Sequence, residues 1–275
     1  MELKDKEYTL TIYGAGVMGT AVLSAILKSN ISPAPKRIVC CTSRAESAEK
    51  LAKAYPSIET TYGDEDNFKI LSESDVIVLG LKPFICDVVI DKIGPLMKDK
   101  ILISLIAGWK IERFLEYTPY VSRVMTNTPA KFGCGMAIVS FSEECKQFED
   151  YIMKLIDPIG KALQLPEKNM DAATALVGSG PAFCLLMMEA LTEGGVRMGI
   201  PYAVAKDCAA KVMEGTAKMV METGEHPGAL KAQVCTPGGT TIGGLLVMED
   251  KGVRSGISRA VEEAANIATK LGQKK

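Results

Sequence analysis

Residues 8–28 read YTLTIYGAGVMGTAVLSAILK, and this stretch decides the fold of the chain. Its first six residues are apolar, aromatic or β-branched and predict a short strand, and its last nine predict a helix. Three glycines at the spacing GxGxxG separate the two elements. In a dinucleotide-binding turn the first glycine permits the tight turn, the second lets the backbone approach a pyrophosphate, and the third allows the helix to pack on the strand. The helix N-terminus then offers unpaired N–H groups to the phosphates. We therefore predict a dinucleotide site, with an ordinary glycine-rich turn as the alternative. The predicted cofactor-binding residues of this turn are Gly14, Gly16, Val17, Met18 and Gly19.

Composition and charge argue against several classes of protein. The chain has 275 residues, 47% of them hydrophobic and 24% charged, with a formal net charge of −1. That balance gives no basic field to attract nucleic acid or an anionic membrane, and the chain has no run of about 18 uncharged apolar residues. Residues 1–7, MELKDKE, carry acids and no apolar run, so we expect no targeting peptide and a cytoplasmic location. The eight cysteines form no CxxC pair, which favours reduced, buried thiols over a metal site or a disulfide framework.

The first half of the chain alternates strand-like and helix-like segments. Further strands are predicted at residues 37–41, 75–81, 101–106, 121–125 and 137–141, and a helix at 45–54. The most apolar of these runs are typical of parallel strands buried on both faces. Strands separated by helix-length spacers predict an α/β fold with a doubly wound parallel sheet.

The pattern changes near residue 165, so we predict one domain over residues 1–165 and a second, helical domain over residues 166–275. Helices are predicted at residues 170–198, 203–223, after Thr241 and at 252–271. The first of them is apolar nearly all round and is interrupted by Ser179-Gly180-Pro181. A helix with so little polar surface is buried, and the remaining residues of this half cannot cover it from every side. We therefore expect a second subunit to cover it.

The end of the second predicted strand bears on the choice of cofactor. NAD-binding sheets usually carry Asp or Glu there, which binds the ribose 2′-hydroxyl. This chain has Cys41-Thr42-Ser43-Arg44 instead, with two hydroxyls and a guanidinium. These groups suit a 2′-phosphate, which Arg44 can bind through two parallel hydrogen bonds. We predict NADPH, with NADH as the alternative cofactor; the competing interpretation is that Arg44 is a solvated residue of the next helix.

Three other segments carry weaker signals. Leu81-Lys82-Pro83 closes a buried strand at its carboxyl end, where ligands bind in such sheets, although an ordinary strand end has the same pattern. The segment MTNTPA, residues 125–130, also follows a strand and is more typical of a structural loop. The segment TPGGTT, residues 236–241, precedes a helical stretch and predicts either an anion-binding nest for a carboxylate or a structural turn.

Taken together, GAGVMG, LKP, MTNTPA, ALVGSGPAF (residues 175–183) and TPGGTT occur in the order found in pyrroline-5-carboxylate reductases, which the chain resembles over essentially its whole length. The resemblance implies reduction of 1-pyrroline-5-carboxylate to L-proline, the last step of proline biosynthesis, by hydride transfer from NAD(P)H. It also implies an N-terminal Rossmann-type domain and a C-terminal all-helical dimerisation domain. Homodimers, assembled into larger rings in many members, are the expected state.

The resemblance assigns roles to individual residues. It implies that Ser43 and Arg44 meet the 2′-phosphate, that Asn67 lies on the adenosine side, and that Leu81, Lys82 and Pro83 run along the nicotinamide end. The substrate carboxylate is expected at Thr236, Gly238, Gly239, Thr240 and Thr241. The hydroxyl of Thr241 would face the ring nitrogen as the catalytic group, orienting the imine and relaying a proton. Thr236 stands where many members have Ser, which keeps a hydroxyl. No metal is implied.

Three rival functions remain open at this point. A β-hydroxyacid dehydrogenase also begins with GxGxMG, but it uses a lysine base on the interdomain helix, and residues 171–198 contain no lysine. A reductase of another imine or keto substrate would share the scaffold. A non-catalytic NADP(H)-binding redox sensor would bind the cofactor and leave the imine untouched. The single histidine, His226, is interpreted as a loop residue between helices rather than as a base.

Overall fold

The computed structural model describes residues 7–29 and 31–273. The predicted absence of a targeting peptide concerns residues that lie mostly outside this part of the chain. The strands are β1 (Thr9–Tyr13), β2 (Arg37–Thr42), β3 (Glu59–Tyr62), β4 (Val76–Leu79), β5 (Ile101–Ser104), β6 (Val121–Met125), β7 (Gly135–Phe141) and β8 (Gly160–Gln164). The helices are α1 (Val17–Lys28), α2 (Ala45–Ala54), α3 (Asp64–Glu73), α4 (Cys86–Ile93), α5 (Glu149–Ile156), α6 (Met170–Ala173), α7 (Gly180–Arg197), α8 (Tyr202–Thr223), α9 (Pro227–Gln233), α10 (Thr240–Asp250) and α11 (Val253–Gln273).

The eight strands form one sheet in the order β3-β2-β1-β4-β5-β6-β7-β8. The strand order runs outward from β1 to β3 on one side and from β4 onward on the other, which confirms the predicted doubly wound α/β fold. Every neighbouring pair is parallel except β6 and β7, which are antiparallel. Only residues 126–134 join those two strands, and so short a connection cannot hold the crossover that a parallel pair requires.

The core lies on both faces of the sheet, because the central strands present buried side chains to each side. One face packs Ile12 and Ile103 with residues of α1 and α5, and the other packs Leu79 and Leu102 with residues of α4 and with Phe114. Burial on both faces explains why β4 and β5 read as continuous apolar runs rather than as alternating ones.

The chain divides into two compact units, one formed by the described residues of Met1–Ser179 and Glu263–Lys275 and the other by Gly180–Glu262. This grouping differs from the predicted boundary at residues 165 and 166, since it places residues 166–179 and the end of α11 with the sheet. The last turn of α11 makes a close backbone contact there: a Cβ on Gly272 would overlap the carbonyl oxygen of Gly108. The predicted division into residues 1–165 and residues 166–275 stays a prediction.

The second unit is helical, as expected, and its leading helix is open to solvent. Continuous helical structure runs from Glu167 to Arg197, with a π-helical turn at Thr174–Gly178 just before the predicted interruption. Within α7 only Thr192 is buried in the single chain, and Leu186 is 66% exposed. By length and composition this 31-residue run could cross a membrane. Charged residues interrupt this run in the sequence, so a criterion of about 18 uncharged residues does not identify it as a membrane span.

Candidate active site

The glycine turn joins β1 to α1 as the sequence predicts. Gly14 has a φ of +90°, and its N–H donates to the carbonyl oxygen of Cys41 at 3.1 Å. A Cβ on Gly19 would lie 2.6 Å from the carbonyl oxygen of Gly14, so only glycine lets α1 pack this closely. In contrast, a Cβ on Gly16 would meet no atom within 4 Å. The space beside the Gly16 backbone is therefore open, and a pyrophosphate needs such space to approach the backbone.

A cavity of about 350 Å³ opens beside this turn at the carboxyl ends of β1, β2 and β4. It brings together seven of the predicted cofactor residues: Gly14, Gly16, Ser43, Arg44, Asn67, Leu81 and Lys82. The N-terminus of α1 has no side-chain cap among the described residues, so its first N–H groups are available to a ligand. The positive end of the helix dipole adds to the attraction for phosphate.

Four other predicted cofactor residues do not line this cavity. Gly19 lies beneath the turn, and Pro83 begins a short 3₁₀ turn. Val17 is 73% exposed, and Met18 faces a different cavity. Leu81 and Lys82, predicted for the nicotinamide end, line the same cavity as Ser43 and Arg44, predicted for the 2′-phosphate. These four residues therefore do not distinguish the two ends of the cofactor.

Asn67 is buried, and its amide is already engaged within the protein. Its Nδ2 donates to the carbonyl oxygen of Thr42 at 2.8 Å, and its Oδ1 accepts from Thr61 Oγ1 at 2.7 Å. The side chain thus ties the ends of β2 and β3 together. Its contact with adenosine stays a prediction.

Asp64 is a cavity residue that sequence reasoning missed, because it follows a polar strand that the sequence did not reveal. It begins α3, lines the same cavity as Arg44 and forms an ion pair with Lys92 at 3.4 Å. Two other lining groups stay uncharged at neutral pH. Burial raises the pKa of the Cys41 thiol to about 11, and burial with the nearby charge of Asp64 raises the pKa of Tyr13 to about 12. Asp64 is therefore the one anionic side chain among the lining residues.

A smaller cavity of about 230 Å³ lies past the carboxyl ends of β5 and β6. Its lining residues all lack charge: Met18, Leu105, Ala107, Val124, Met125, Thr126, Thr174, Gly178 and Ser179. The residue that stands out is Thr126, which is 6% exposed and whose hydroxyl has no hydrogen-bond partner in the described part of the chain. The next residue, Asn127, has a structural role, since its Oδ1 accepts from the N–H of Met136 at 3.2 Å.

The predicted substrate residues form a turn in the second unit. Gly238 has a φ of +66°, and the N–H of Gly239 donates to the carbonyl oxygen of Thr236 at 3.0 Å. The turn leads into α10, whose N-terminus at Thr240 has no side-chain cap among the described residues. Thr236 and Thr240 are exposed and Thr241 is half-buried. The arrangement has the free N–H groups and the hydroxyls that bind a carboxylate.

His226 agrees with its interpretation as a loop residue. It is the N-cap of α9, and its Nδ1 accepts from the N–H of Gly228 at 3.0 Å. Within residues 7–29 and 31–273, no group of three or more His, Cys, Asp or Glu side chains could hold a metal ion.

Arg123 forms a buried ionic cluster beside a cavity of about 590 Å³. Its side chain is 3% exposed, and its Nη1 lies 3.4 Å from Glu167 Oε1 and its Nη2 3.6 Å from Asp171 Oδ1. Glu167 Oε1 also accepts from the N–H of Ile111 at 2.7 Å, and Asp171 Oδ2 from Thr269 Oγ1 at 2.9 Å. The sequence held a signal for this cluster, since a lone arginine in an otherwise uncharged strand needs a buried partner.

Comparisons with known proteins cover both parts of the chain. Residues 167–271 match a family described as pyrroline-5-carboxylate reductase dimerisation. Residues 9–108 match a family described as NADP oxidoreductase, coenzyme F420-dependent. The two matches fall on the helical half and on the sheet.

Several similar sequences and structures are pyrroline-5-carboxylate reductases by name. The pyrroline-5-carboxylate reductase of Kluyveromyces lactis is 51% identical over 98% of this chain and 99% of its own length. That of Schizosaccharomyces pombe is 34% identical over 95% of this chain and 98% of its own length. The Plasmodium falciparum pyrroline carboxylate reductase, solved with NADP bound, has a TM-score of 0.84 and 26% identity, with 99% of this chain and 100% of that chain covered. The Coxiella burnetii enzyme has a TM-score of 0.85 and 25% identity, with 98% and 100% covered. The chain therefore belongs to the pyrroline-5-carboxylate reductase family.

Proposed function

We propose that this protein reduces 1-pyrroline-5-carboxylate to L-proline with NADPH. The observation that carries the proposal is full-length similarity to reductases of this name, combined with a cavity that joins the glycine turn to Ser43 and Arg44. A β-hydroxyacid dehydrogenase is not favoured, because no lysine occurs in α7. A redox sensor would not need the substrate turn at Thr236–Thr241.

The cofactor is held by the first unit. The open backbone at Gly16 and the free N–H groups of α1 bind the pyrophosphate, and Arg44 with Ser43 binds the 2′-phosphate. When bound, NADPH supplies the hydride for the imine carbon. Arg44 is exposed, so solvent weakens its contribution, and Asp64 opposes phosphate binding less because Lys92 neutralises it. That a relative was solved with NADP bound supports the choice of cofactor.

The substrate is bound by the turn before α10. The N–H groups at the start of α10 and the hydroxyls of Thr236 and Thr240 bind the carboxylate. Thr241 directs its hydroxyl to the ring nitrogen and thereby orients the imine. An imine can arrive already protonated, so the reaction needs no strong acid from the protein, and positioning supplies much of the rate. The absence of an acid or base among these residues is consistent with that chemistry.

The working form is a homodimer built on residues 166–275, and dimers assemble into a ring. The exposed apolar side chains of α7, Leu185, Leu186 and Leu191, need a cover. A second subunit provides it better than a membrane, since residues 167–271 match a dimerisation family. Obligate dimer interfaces are apolar in this way. Size-exclusion chromatography with light scattering tests both levels: a monomer would refute the dimer, and a dimer without larger species would refute the ring.

NADPH oxidation by the purified protein tests the activity, with 1-pyrroline-5-carboxylate compared with hydroxy acids, and NADH compared with NADPH. We expect turnover with the imine and a higher kcat/KM with NADPH. In the variant Arg44→Gln, loss of a screened charge-assisted bond should lower kcat/KM for NADPH by about 5- to 30-fold and leave that for NADH unchanged. Binding of NADPH without turnover of the imine would favour the sensor. The cytoplasmic location belongs to the same proposal and is tested by cell fractionation.

A further inference from the structure

We propose that Asp64 sets how strongly the protein prefers NADPH to NADH. Its carboxylate accepts a hydrogen bond from the adenosine ribose of NADH and repels the 2′-phosphate that NADPH carries on the same ribose. Asp64 therefore acts against Arg44 in the choice of cofactor. The inference deepens the proposed function and rests on it, and it gives a role to an acid that the sequence did not reveal as part of the site.

The first argument is that the cavity beside the glycine turn holds two opposite charges. In dinucleotide-binding sheets an acid binds the ribose 2′-hydroxyl of NAD, whereas an arginine accommodates the 2′-phosphate of NADP. Here Arg44 and Asp64 line the same cavity. The arginine follows β2, where the acid usually stands, and the acid follows β3 at the start of α3. The chain therefore presents a determinant for each cofactor at one site.

The second argument is a set of hydrogen bonds that holds the start of α3 against the end of β2. Asn67 lies one turn after Asp64 in α3, and its Nδ2 donates to the carbonyl oxygen of Thr42 at 2.8 Å. Its Oδ1 accepts from Thr61 Oγ1 at 2.7 Å. The Thr42 hydroxyl donates to the carbonyl oxygen of Arg44 at 2.9 Å. These bonds connect the first turn of α3 to the loop that carries Arg44, so the two charges are held in one network.

The third argument is that the carboxylate of Asp64 keeps both charge and hydrogen-bonding capacity. Lys92 Nζ lies 3.4 Å from its Oδ2, and the side chains of Lys92 and Asp64 are 55% and 67% exposed, so water screens this ion pair. In the described part of the chain no donor is bonded to Asp64 Oδ1, which is free for a ribose hydroxyl. The charge also acts inside the cavity: after burial, it is the next cause that raises the pKa of Tyr13, beside the glycine turn, to about 12.

Calorimetric Kd values for NADPH and NADH test the proposal without relying on turnover. Asp64→Asn should tighten NADPH binding about three- to fivefold, because a screened repulsion is removed. The same variant should weaken NADH binding about fivefold, because the ribose hydroxyl then bonds to a neutral acceptor. Lys92→Gln leaves Asp64 uncompensated and should weaken NADPH binding about threefold, with little effect on NADH. The matched control is Asp66→Asn, which removes an acid from the same turn of α3 but outside the cavity lining, and it should leave the ratio of the two Kd values unchanged.

Opposite changes for the two cofactors are the result that a purely structural role of Asp64 would not produce. Equal changes for NADPH and NADH in Asp64→Asn, or none, would overturn the proposal, and an unchanged Kd for NADH would overturn the contact with the ribose. An equal shift of the ratio in Asp66→Asn would assign the effect to the general charge of α3 instead. If Asp64→Asn does not fold, Lys92→Gln decides the question, since it must weaken NADPH more than NADH. Wild-type protein that binds neither cofactor would instead refute the proposed function.

Discussion

Replacing Arg123 by Met removes the cation from a buried cluster and leaves its two acids in place. The Met side chain fills much of the same volume. Glu167 keeps the hydrogen bond from the N–H of Ile111, and Asp171 keeps the one from Thr269. Each acid loses its ion pair with the guanidinium. We expect a less stable sheet unit, because two close carboxylates are then uncompensated.

The size of the loss follows from the burial of the two acids. Removing one partner of a fully buried ion pair costs about 3–5 kcal/mol. The side chains of Glu167 and Asp171 are 29% and 30% exposed and each keeps another donor, so solvent offsets part of this loss. We therefore expect the free energy of unfolding to fall by about 2–3 kcal/mol. Replacing the acids as well, in Arg123→Met with Glu167→Gln and Asp171→Asn, should restore it to within about 1 kcal/mol, because the amide oxygens still accept both hydrogen bonds.

The single tryptophan makes the measurement local. Trp109 is buried in the same unit, and the guanidinium of Arg113 lies 3.5 Å from its ring centroid. Urea unfolding followed by Trp109 fluorescence, at one fixed protein concentration, then reports on this unit. A loss below about 1 kcal/mol in the single variant would show that the cluster is already solvated. A triple variant as unstable as the single one would show that packing, not charge, causes the loss.

Three further outcomes are expected. Gly19→Ala should lose about 1–3 kcal/mol of stability together with NADPH binding, because its Cβ meets the Gly14 carbonyl, whereas Gly16→Ala should lose only the binding. Calorimetry and thermal unfolding distinguish the two variants. A Gly19→Ala protein as stable as the wild type would contradict the packing argument. Leu186→Glu should convert the oligomer to monomers in light scattering, while the matched exposed variant Lys98→Glu should not; an intact oligomer would remove α7 from the interface. Stability should fall as pH rises above about 9, because unfolded thiols ionise near their ordinary pKa while burial keeps them protonated in the folded state. A free energy of unfolding that stays constant from pH 9 to 11 in urea unfolding would contradict the burial of these thiols. The thiols concerned have pKa values raised to about 11 or 12: Cys40, Cys41, Cys86 and Cys145.

The glycine turn could be predicted because its signal is local. A strand, three glycines and a helix within residues 8–28 determine both the turn and the open backbone at Gly16. Strand β3 could not be predicted in this way, since Glu59-Thr60-Thr61-Tyr62 has no apolar run. The reversed direction of β7 escaped for another reason: strand direction depends on the length of the connection, which hydrophobic pattern does not record.

A site residue could be predicted from sequence where its side-chain chemistry indicates the ligand. It could not be predicted where the surrounding residues determine its role. Ser43 and Arg44 suggested a phosphate by their chemistry and lie together at the cavity. The sequence does not show whether the amides of Asn67 and Asn127 are free to bind a ligand. In the structure both form hydrogen bonds within the protein. The free hydroxyl of Thr126 is visible only once the surrounding residues are in place. The hydrogen-bond partners of a side chain come from distant parts of the chain, so no sequence motif could reveal them.

The unit that holds the sheet is assembled from two separate stretches of chain. Its second stretch begins at Glu263, and there the backbones of Gly272 and Gly108 touch. A ribosome delivers residues in order, so the strands emerge long before the helix turn that completes their unit. The unit around the sheet stays incomplete while the whole of Gly180–Glu262 is synthesised, although all eight strands precede that stretch. Completion of the sheet unit is thus a late event of biosynthesis, after the intervening helices have had time to form.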